Sequence, residues 1–312
     1  NKWGFFPAFS AGWIISDEKF MSGSKAVPYL KLSASFGYTG NDAIPDFAYW
    51  SLYSAGFDYA DSSGVAPIQL DNPNLKWERS QQLDVNVDFA FFDSKLFGNI
   101  TYYRKTSSDL LLFMSLPSSS GYDGVWQNIG QLENWGMEFS LTSRNINRKF
   151  KWETNLNLAF NRNKVLDAAS LPPDAFESGQ PGEGRVIEGY PVGQAFLVEF
   201  AGVQAQDGQI GAYNLDGSAM LDGGGSQVMY NVNGGTELFY DKNGNLMTFA
   251  NPTGGLFYEH HRKAMGSPLP IFYGGITNTL SYAGVELNFM FSFAYGNTLY
   301  DDAAKTQIGS WQ

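Results

Sequence analysis

The sequence lacks most of the features that mark a soluble enzyme or a helical membrane protein. It has no cysteine, which excludes disulfides and thiolate metal sites. Charged residues make up only 16% of the chain, below the roughly 25% of a typical soluble domain. No apolar run approaches the roughly 18 residues that a membrane-spanning helix needs, so spanning by helices is excluded.

Basic residues and histidine are also scarce. The net charge is -11 and no stretch clusters Lys and Arg, which argues against a nucleic-acid partner. The two histidines, His260 and His261, are neighbours, and on a strand they would point to opposite faces and could not bind one metal ion. In a loop beside Glu259 they could bind one, but metal sites usually need three or four convergent ligands, so a solvated loop pair is the favoured interpretation. We therefore predict no metal site and no cofactor. No Ser nucleophile stands near a His or Lys base in a motif context, so the sequence predicts no catalytic site and no enzyme.

Aromatic residues are abundant at 16%, and three segments alternate apolar and polar side chains for nine or more residues. These segments are 83–91, 150–161 and 285–295. In the first, the apolar row is Leu83, Val85, Val87, Phe89 and Phe91. The polar rows of the first two segments include Asp84, Asn86, Asp88, Glu153, Asn155 and Asn157. An alternation with period two indicates β-strands whose two faces meet different surroundings.

The length of these segments decides between architectures. Strands of soluble sandwiches cluster near five or six residues, whereas strands of membrane barrels need about 9 to 11. Trp135, Tyr102 and Tyr103 also lie near strand ends, where the aromatic girdles of a barrel sit. We therefore predict an all-β fold, a transmembrane antiparallel β-barrel with the apolar rows toward lipid and the polar rows toward the lumen. The alternative is a long, twisted soluble sheet.

Five further strands are predicted, and the connections between strands differ in length. The further strands are at about 5–15, 30–39, 96–106, 133–143 and 271–281. Short turns are predicted near 93–95, 143–149 and 281–284. Long connections are predicted near 40–75, 107–128 and 164–270, and barrels place such loops outside the cell. The whole chain, 1–312, is thus one partial barrel domain of about 8–10 strands.

Strand direction limits what the longest connection contains. Segment 150–161 must run outward and 271–281 inward, so the spanning strands between them number zero or two. Residues 188–203 and a return strand are the candidates for two.

Seven motifs in order across nearly the whole chain resemble the SusC/RagA family of TonB-dependent receptors. They are GFFPAFSAGW from Gly4, LKLSASFGYTGN from Leu30, NPNLKWERS from Asn72, YRKTSSDLLL from Tyr103, NIGQLENWGMEFSL from Asn128, EGYPVG from Glu188 and GSPLPIFYGGITNTLSYAGVEL from Gly266. Each stands on a strand or turn that periodicity also predicts.

The resemblance implies a fold and a function. It implies a 22-stranded barrel filled by an N-terminal plug, of which this chain looks like a middle-to-late portion without the plug. It implies a cell outer membrane of a Gram-negative, Bacteroidota-like bacterium, and active import of an oligosaccharide or peptide. The implied partners are a SusD-like lipoprotein lid, TonB through the plug and outer-membrane lipid, and the resemblance allows a dimer of receptor–lipoprotein pairs.

An aromatic segment in the first long connection is the candidate contact for substrate or partner. Its aromatic residues are Phe47, Tyr49, Trp50, Tyr53, Phe57 and Tyr59, with Asp46, Asp58 and Asp61 nearby. Aromatic side chains present large amphipathic surfaces at low entropic cost, so they suit sugar rings and peptide side chains. The alternative is that they pack loop on loop or against the lipoprotein lid.

A second segment resembles the start of a calcium loop. Asp241, Asn243 and Asn245 have oxygen ligands at alternate positions, but Pro252 stands where the bidentate Glu of that motif belongs. Asn243-Gly244 between apolar residues is typical of a two-residue hairpin turn. The sequence therefore favours a hairpin without metal.

A different function class stays open. A secreted β-rich carbohydrate-binding or scaffold protein, without transport activity, would share the β pattern but would purify from aqueous buffer as a folded monomer. A barrel-borne enzyme would need clustered acid, base or nucleophile positions, and the sequence offers none.

Overall fold

The structure is a computed structural model that describes residues 3–21, 23–57, 62–169, 184–214, 217–248 and 262–298. Within these residues no helix has the length and apolar character to cross a membrane. The chain divides into two compact units. The first holds the described residues up to 169 with 187–191 and 269–296, and the second holds the other described residues.

The described residues are dominated by β-strands. In chain order the strands are β1 (Ala8–Ile14), β2 (Tyr29–Asn41), β3 (Leu52–Ala55), β4 (Val65–Leu70), β5 (Glu78–Phe91), β6 (Leu96–Ser108), β7 (Leu111–Ser115), β8 (Gly124–Asn128), β9 (Gln131–Asn147), β10 (Phe150–Asp167), β11 (Gly184–Arg185), β12 (Gln194–Leu197), β13 (Glu199–Val203), β14 (Gly208–Gly211), β15 (Met229–Val232), β16 (Glu237–Tyr240), β17 (Leu246–Met247), β18 (Lys263–Gly266), β19 (Phe272–Tyr282) and β20 (Val285–Tyr295). Two single 3-10 turns lie at Ile15–Asp17 and Ser118–Ser120.

The main element of the first unit is an eight-stranded antiparallel sheet in the order β1-β2-β5-β6-β9-β10-β19-β20. The eight strands predicted from the sequence are the eight strands of this sheet, so the all-β prediction is confirmed. β5 begins at Glu78 rather than near 83, and β10 continues to Asp167. In the described part of the chain β1 and β20 each have one neighbour, and the sheet is not closed.

Of the two alternatives left open for the segment between β10 and β19, zero or two spanning strands, the structure shows zero, and the candidate at 188–203 is not a spanning strand. β10 pairs directly with β19, from Phe150↔Tyr282 to Ala159↔Tyr273, so no strand lies between them. The two strands that form there, β12 and β13, have only four and five residues. Both are too short to cross a bilayer, and both belong to small separate sheets.

The register of the large sheet places apolar side chains on one face and polar side chains on the other. One row across all eight strands reads Trp13↔Leu32↔Val87↔Ile100↔Phe139↔Leu158↔Gly274↔Phe293. A row on the opposite face, from β2 to β20, reads Lys31↔Asp88↔Asn99↔Ser140↔Asn157↔Gly275↔Ser292. We call these the apolar face and the polar face. A slip of one residue in any strand would exchange the faces, so the pattern fixes the register.

The apolar face is not a buried core. Its side chains from Leu83 to Phe91 are partly exposed, and Phe291 on β20 keeps 65% of its surface. No large side chain is fully buried among the described residues. The prediction that long apolar rows face something other than a compact protein interior is consistent with this arrangement.

Tyr103 is a correction to the predicted aromatic girdle. Tyr102 and Trp135 lie on the apolar face as expected, but Tyr103 pairs with Asp84 on the polar face. Its hydroxyl donates a hydrogen bond to Asn161 Oδ1 at 2.7 Å. Neighbouring residues of a strand point to opposite faces, so Tyr102 and Tyr103 could not both meet lipid.

Tight turns close the hairpins at one end of the sheet. Between β19 and β20 both connecting residues have positive φ, Ala283 at 50° and Gly284 at 86°, as a type I′ turn requires. The turn between β5 and β6 holds three residues with positive φ: Phe92, Asp93 and Ser94. We call this end of the sheet the short-turn end. The opposite end, where the long connections begin and end, is called the long-connection end.

Four small sheets complete the described strands. The first unit contains β3-β4-β8-β7, and the second contains β11-β12-β18, β13-β16-β17 and β14-β15.

The predicted hairpin at Asn243-Gly244 is present, but its turn differs from the prediction. Tyr240 pairs with Leu246, and the Asp241 N–H bonds to the Asn245 carbonyl, so the loop has three residues rather than two. Only Gly244 has positive φ, at 88°, as in a type I turn followed by a left-handed residue. A three-residue loop needs one such residue, whereas a two-residue type I′ turn needs two.

Candidate functional site

The predicted aromatic segment lies on the four-stranded sheet of the first unit, which joins two long connections. β3 is antiparallel to β4, and β4 runs parallel to β8 through Gln69↔Gly124. β8 is antiparallel to β7, from Leu111↔Asn128 to Ser115↔Gly124. The connection between β2 and β5 and the connection between β6 and β9 therefore form one structure.

Gln69 holds the aromatic turn in shape. Its side chain is 8% exposed, and its Nε2 donates to the carbonyls of Ala48 at 3.0 Å and Trp50 at 2.8 Å, with a longer contact to Phe47 at 3.5 Å. Phe47 itself has positive φ, at 63°. One buried side-chain amide thus donates hydrogen bonds to backbone carbonyls of a turn that is not part of a β-ladder. Sequence reasoning did not identify Gln69, since nothing in its local sequence marks it as buried.

Three of the predicted aromatic rings contact one another. The rings of Phe47 and Trp50 stack at 5.3 Å between centroids, and Tyr49 meets Trp50 edge-on at 5.3 Å. About half of the Phe47 and Trp50 surfaces remains exposed, at 54% and 53%. The cluster is therefore both packed on itself and open to a ligand.

The other predicted aromatic residues are further along the same segment. Tyr53 lies on β3 and Phe57 follows it, and both are exposed. Tyr59, with Asp58 and Asp61, falls outside the described residues. The structure thus brings together Phe47, Tyr49 and Trp50 only.

Two asparagines fasten the small sheet to the chain that leads into β5. Asn72 Nδ2 donates to the Trp126 carbonyl at 2.8 Å. The Asn128 side chain accepts from the Lys76 N–H at 2.8 Å and donates to the Lys76 carbonyl at 2.7 Å, pairing like a strand. Lys76 also forms an ion pair with Asp109 at 2.9 Å. These contacts give the motifs that begin at Asn72 and Asn128 a structural role that sequence reasoning did not assign.

A cavity of about 590 Å³ opens beside the aromatic cluster. Its lining combines rings with carboxylates: Asp42, Asp46, Phe47, Tyr49, Trp77 and Leu111. Asp46, predicted to lie near the aromatics, is among them. Apolar walls with a few polar groups that fix orientation are the usual composition of ligand sites.

The predicted polar residues of β5 all lie on the polar face. Asp84 accepts hydrogen bonds from Gln82 Nε2 at 2.9 Å and from Ser35 Oγ at 3.3 Å. Asn86 Oδ1 accepts from Thr101 Oγ1 at 2.8 Å. Asp88 lines a cavity of about 700 Å³ near the short-turn end.

The predicted polar residues of β10 continue the same network. Asn155 Nδ2 donates to Thr142 Oγ1, and Asn157 Nδ2 donates to Asn155 Oδ1, both at 2.8 Å. Glu153 contacts Arg144, with Nε and Oε2 3.5 Å apart. The polar face is thus a continuous layer of hydrogen-bonding side chains suited to water or to polar protein surface.

The acidic hairpin in the second unit satisfies its own carboxylate. Asp241 is 2% exposed, and its Oδ1 accepts from the N–H groups of Asn243 at 2.8 Å and Asn245 at 2.7 Å. Asn245 Nδ2 donates to Asp241 Oδ2 at 3.0 Å. Within the ranges that the structure covers, no group of three or more His, Cys, Asp or Glu could hold a metal ion. His260 and His261 fall outside those ranges.

A long antiparallel sheet with one apolar and one polar face is typical of a barrel wall, and comparison with known proteins identifies which barrel. The family model described as TonB dependent receptor-like, beta-barrel matches residues 1–311. The chain belongs to this family. The family resemblance seen in the sequence motifs is confirmed.

Three relatives of this TonB-dependent receptor barrel have similar sequence identities to it. TonB-dependent receptor P39 of Formosa agariphila is 34% identical over 96% of this chain and 30% of its own length. TonB-dependent receptor P26 of the same organism is 32% identical over 96% of this chain and 29% of its own length. TonB-dependent receptor SusC of Bacteroides thetaiotaomicron is 32% identical over 62% of this chain and 21% of its own length. The chain thus spans about 30% of the length of the first relative.

Solved structures show the same fold. The RagAB peptide transporter matches with a TM-score of 0.71 and 23% identity, over 93% of this chain and 29% of that one. The RagAB peptide importer in the open-open state matches with a TM-score of 0.73 and 20% identity, over 95% and 29%. At these identities the likeness shows the barrel fold alone.

Proposed function

We propose that this chain forms part of the wall of an outer-membrane receptor that imports an oligosaccharide or a peptide with TonB and a SusD-like surface lipoprotein. The observation that supports this most is the pair of faces on the eight-stranded sheet, taken with membership of the TonB-dependent receptor family. Hydrocarbon suits the row through Val87 and Phe139, and a wet lumen suits the row through Asp88 and Asn157.

The proposed orientation follows from the connections. Barrels of this kind put short turns in the periplasm and long loops outside the cell. The short-turn end is then periplasmic, and the connections near 40–75, 107–128 and 164–270 are extracellular. The aromatic cluster of Phe47, Tyr49 and Trp50 then meets substrate before it enters the barrel.

The polar face would line the lumen and contact the plug of the whole receptor. Asp84, Asn86, Asp88, Glu153, Asn155 and Asn157 are the proposed lumen-facing residues. Asp84, Asn86 and Asn155 each form a side-chain hydrogen bond with a residue of an adjacent strand. Such a layer exchanges contacts with a mobile plug without exposing apolar surface to water.

The experiment uses the full-length receptor in a strain whose own copy is deleted. Growth and labelled-substrate uptake are measured with oligosaccharides and with peptides as the sole nutrient, with and without TonB. The double variant Phe47→Ala/Trp50→Ala should reduce uptake of one substrate class severalfold while the receptor still fractionates with the outer membrane. Phe92→Ala, an exposed ring in the turn at the opposite end of the sheet, is the matched control and should leave uptake unchanged.

A second variant separates ring contacts from loop shape. Gln69→Leu leaves every ring in place but removes the donor to the carbonyls of Ala48 and Trp50, at a cost of roughly 1–3 kcal/mol. Uptake should fall as in the ring variant, and hydrogen exchange should rise in the turn at 46–50. Loss of lipoprotein co-purification with unchanged substrate affinity would instead assign the aromatic cluster to the lid. TonB-independent uptake would contradict the proposed function.

A further inference from the structure

Charged side chains on the apolar face are confined to one end of the sheet. At the short-turn end the described strand residues of this face are apolar or uncharged, including Phe91, Leu96, Phe150, Tyr282 and Val285. At the long-connection end the same face carries four cations: Arg79, Arg104, Arg162 and Lys164. The chain as a whole is acidic, with a net charge of -11, so a cluster of four cations on one face is not what its composition would produce by chance.

The register places these cations directly beyond the apolar belt. Arg104 stands in the row Leu83↔Arg104↔Trp135↔Arg162, one row beyond Tyr102 and Met137. Lys164 stands one row further, opposite Glu133. Aromatic residues of a barrel mark the level of the bilayer interface, so Arg104 and Arg162 in the row of Trp135, and Lys164 one row beyond it, lie at headgroup level.

Acidic neighbours do not cancel the positive charge. Glu133 is taken by Arg104, whose Nε donates to Glu133 Oε1 at 2.7 Å. Asp167, opposite Gln131 at the end of β10, is the second carboxylate on the described strands at this end of the face, which leaves four cations against two anions. The guanidinium of Arg79 lies 3.9 Å from the centre of the Tyr38 ring, and both Arg79 and Lys164 are exposed.

A polar cavity lies beside Arg79 at this end of the apolar face. It has a volume of about 140 Å³ and is lined by Tyr38, Arg79, Gln81, Thr106, Ser108 and Gln131. All of these lie on the apolar face, beyond the belt. A guanidinium with hydroxyl and amide donors around a small cavity suits a phosphate group, because Arg and hydroxyl groups donate charge-assisted hydrogen bonds to its oxygens.

The geometry points to a binding site for the phosphorylated headgroup of an outer-leaflet glycolipid, with Arg79 as the cation that lines the cavity and Lys164, three strands further along the sheet, as a second exposed cation on the same face. The inference rests on the proposed membrane placement. The position on the lipid-facing side, at the level where headgroups lie, favours a lipid phosphate over a soluble anion. Basic residues near a bilayer surface attract anionic lipid in this way.

The test measures binding of lipid A by the full-length receptor in detergent, by native mass spectrometry. Bisphosphorylated lipid A should bind more tightly than the same lipid with its phosphates removed. The variant Arg79→Gln/Lys164→Gln should weaken binding about tenfold or more, and high salt should weaken it in the unaltered receptor. The matched control is Lys31→Gln/Lys105→Gln, which removes the same charge from the polar face and should leave binding unchanged.

Each contrary result has a defined meaning. Equal binding of the two lipids, or equal loss in the two double variants, overturns the inference. Inorganic phosphate that competes at equal phosphate concentration also overturns it, since the cavity would then take a free ion. If the receptor takes up substrate normally but binds the two lipids equally, only this inference fails. If it binds the phosphorylated lipid selectively but imports nothing, only the proposed function fails.

Discussion

The two faces of the eight-stranded sheet satisfy their polar groups in opposite ways. On the polar face, side chains such as Asp84, Asn86 and Asn155 bond across strands and still meet solvent. On the apolar face, outside the charged group at its long-connection end, polar groups are few and paired locally: Thr154 Oγ1 donates to Asn278 Oδ1 at 2.7 Å and accepts from Asn145 Nδ2 at 2.8 Å. The difference teaches that position on a face, rather than residue type, sets the cost of a substitution.

The largest test of this comparison is a charge placed in the apolar row. In the intact receptor, Val87→Arg should lower the free energy of unfolding by about 2–4 kcal/mol if the side chain lies near mid-bilayer. Asp88→Asn, its neighbour on the polar face, should have little effect. Denaturant unfolding of the lipid-reconstituted receptor measures both, and equal tolerance would show that the two faces are assigned wrongly.

Adjacent glycines give a test that involves no charge. A Cβ at Gly274, on the apolar face, would come 2.2 Å from the Asn157 carbonyl oxygen and 3.1 Å from the Phe293 ring. A Cβ at Gly275, on the polar face, would meet nothing nearer than 3.4 Å. Gly274→Ala should therefore destabilise by about 1–3 kcal/mol, while Gly275→Ala should be near neutral. Thermal unfolding of the two variants distinguishes them, and a reversed order would contradict the register of β19.

The smallest expected changes in stability come from removing a neutral hydroxyl on the apolar face and a charge on the polar face. Thr154→Val removes the hydroxyl that joins Asn145 and Asn278 on the apolar face, and should cost about 1–2 kcal/mol. Glu153→Gln removes a half-exposed carboxylate 3.5 Å from Arg144 on the polar face, and should cost less than about 1 kcal/mol. If the charged residue proves the more costly in the same unfolding assay, the solvent contrast between the faces is weaker than described.

Much of the sheet could be predicted because alternation is a local property. Three of the eight strands carry a clear period-two signal of their own, as β20 does from Val285 to Tyr295, with the bounds that the sequence suggested. The pairing of β10 with β19 is not local, so the sequence left open how many strands lie between them. Tyr103 was misplaced because a cluster of aromatics was read without its alternation.

The site was predictable only in outline. The sequence identified the aromatic residues, since their density is visible, and Asp46 beside them. It did not identify Gln69, Asn72 or Asn128, because their roles depend on carbonyl groups 19 to 54 residues away along the chain. A side chain that stabilises a turn through distant backbone atoms has no periodic signal.

The direct contact between β10 and β19 has a consequence for how such receptors diversify. Adjacent strands lie about 4.8 Å apart, so the chain leaves and re-enters the sheet at neighbouring places. The intervening residues can then be lengthened, shortened or exchanged without shifting any ladder of the wall. Length and sequence can therefore vary at this insertion point while the eight-stranded sheet keeps its pairing.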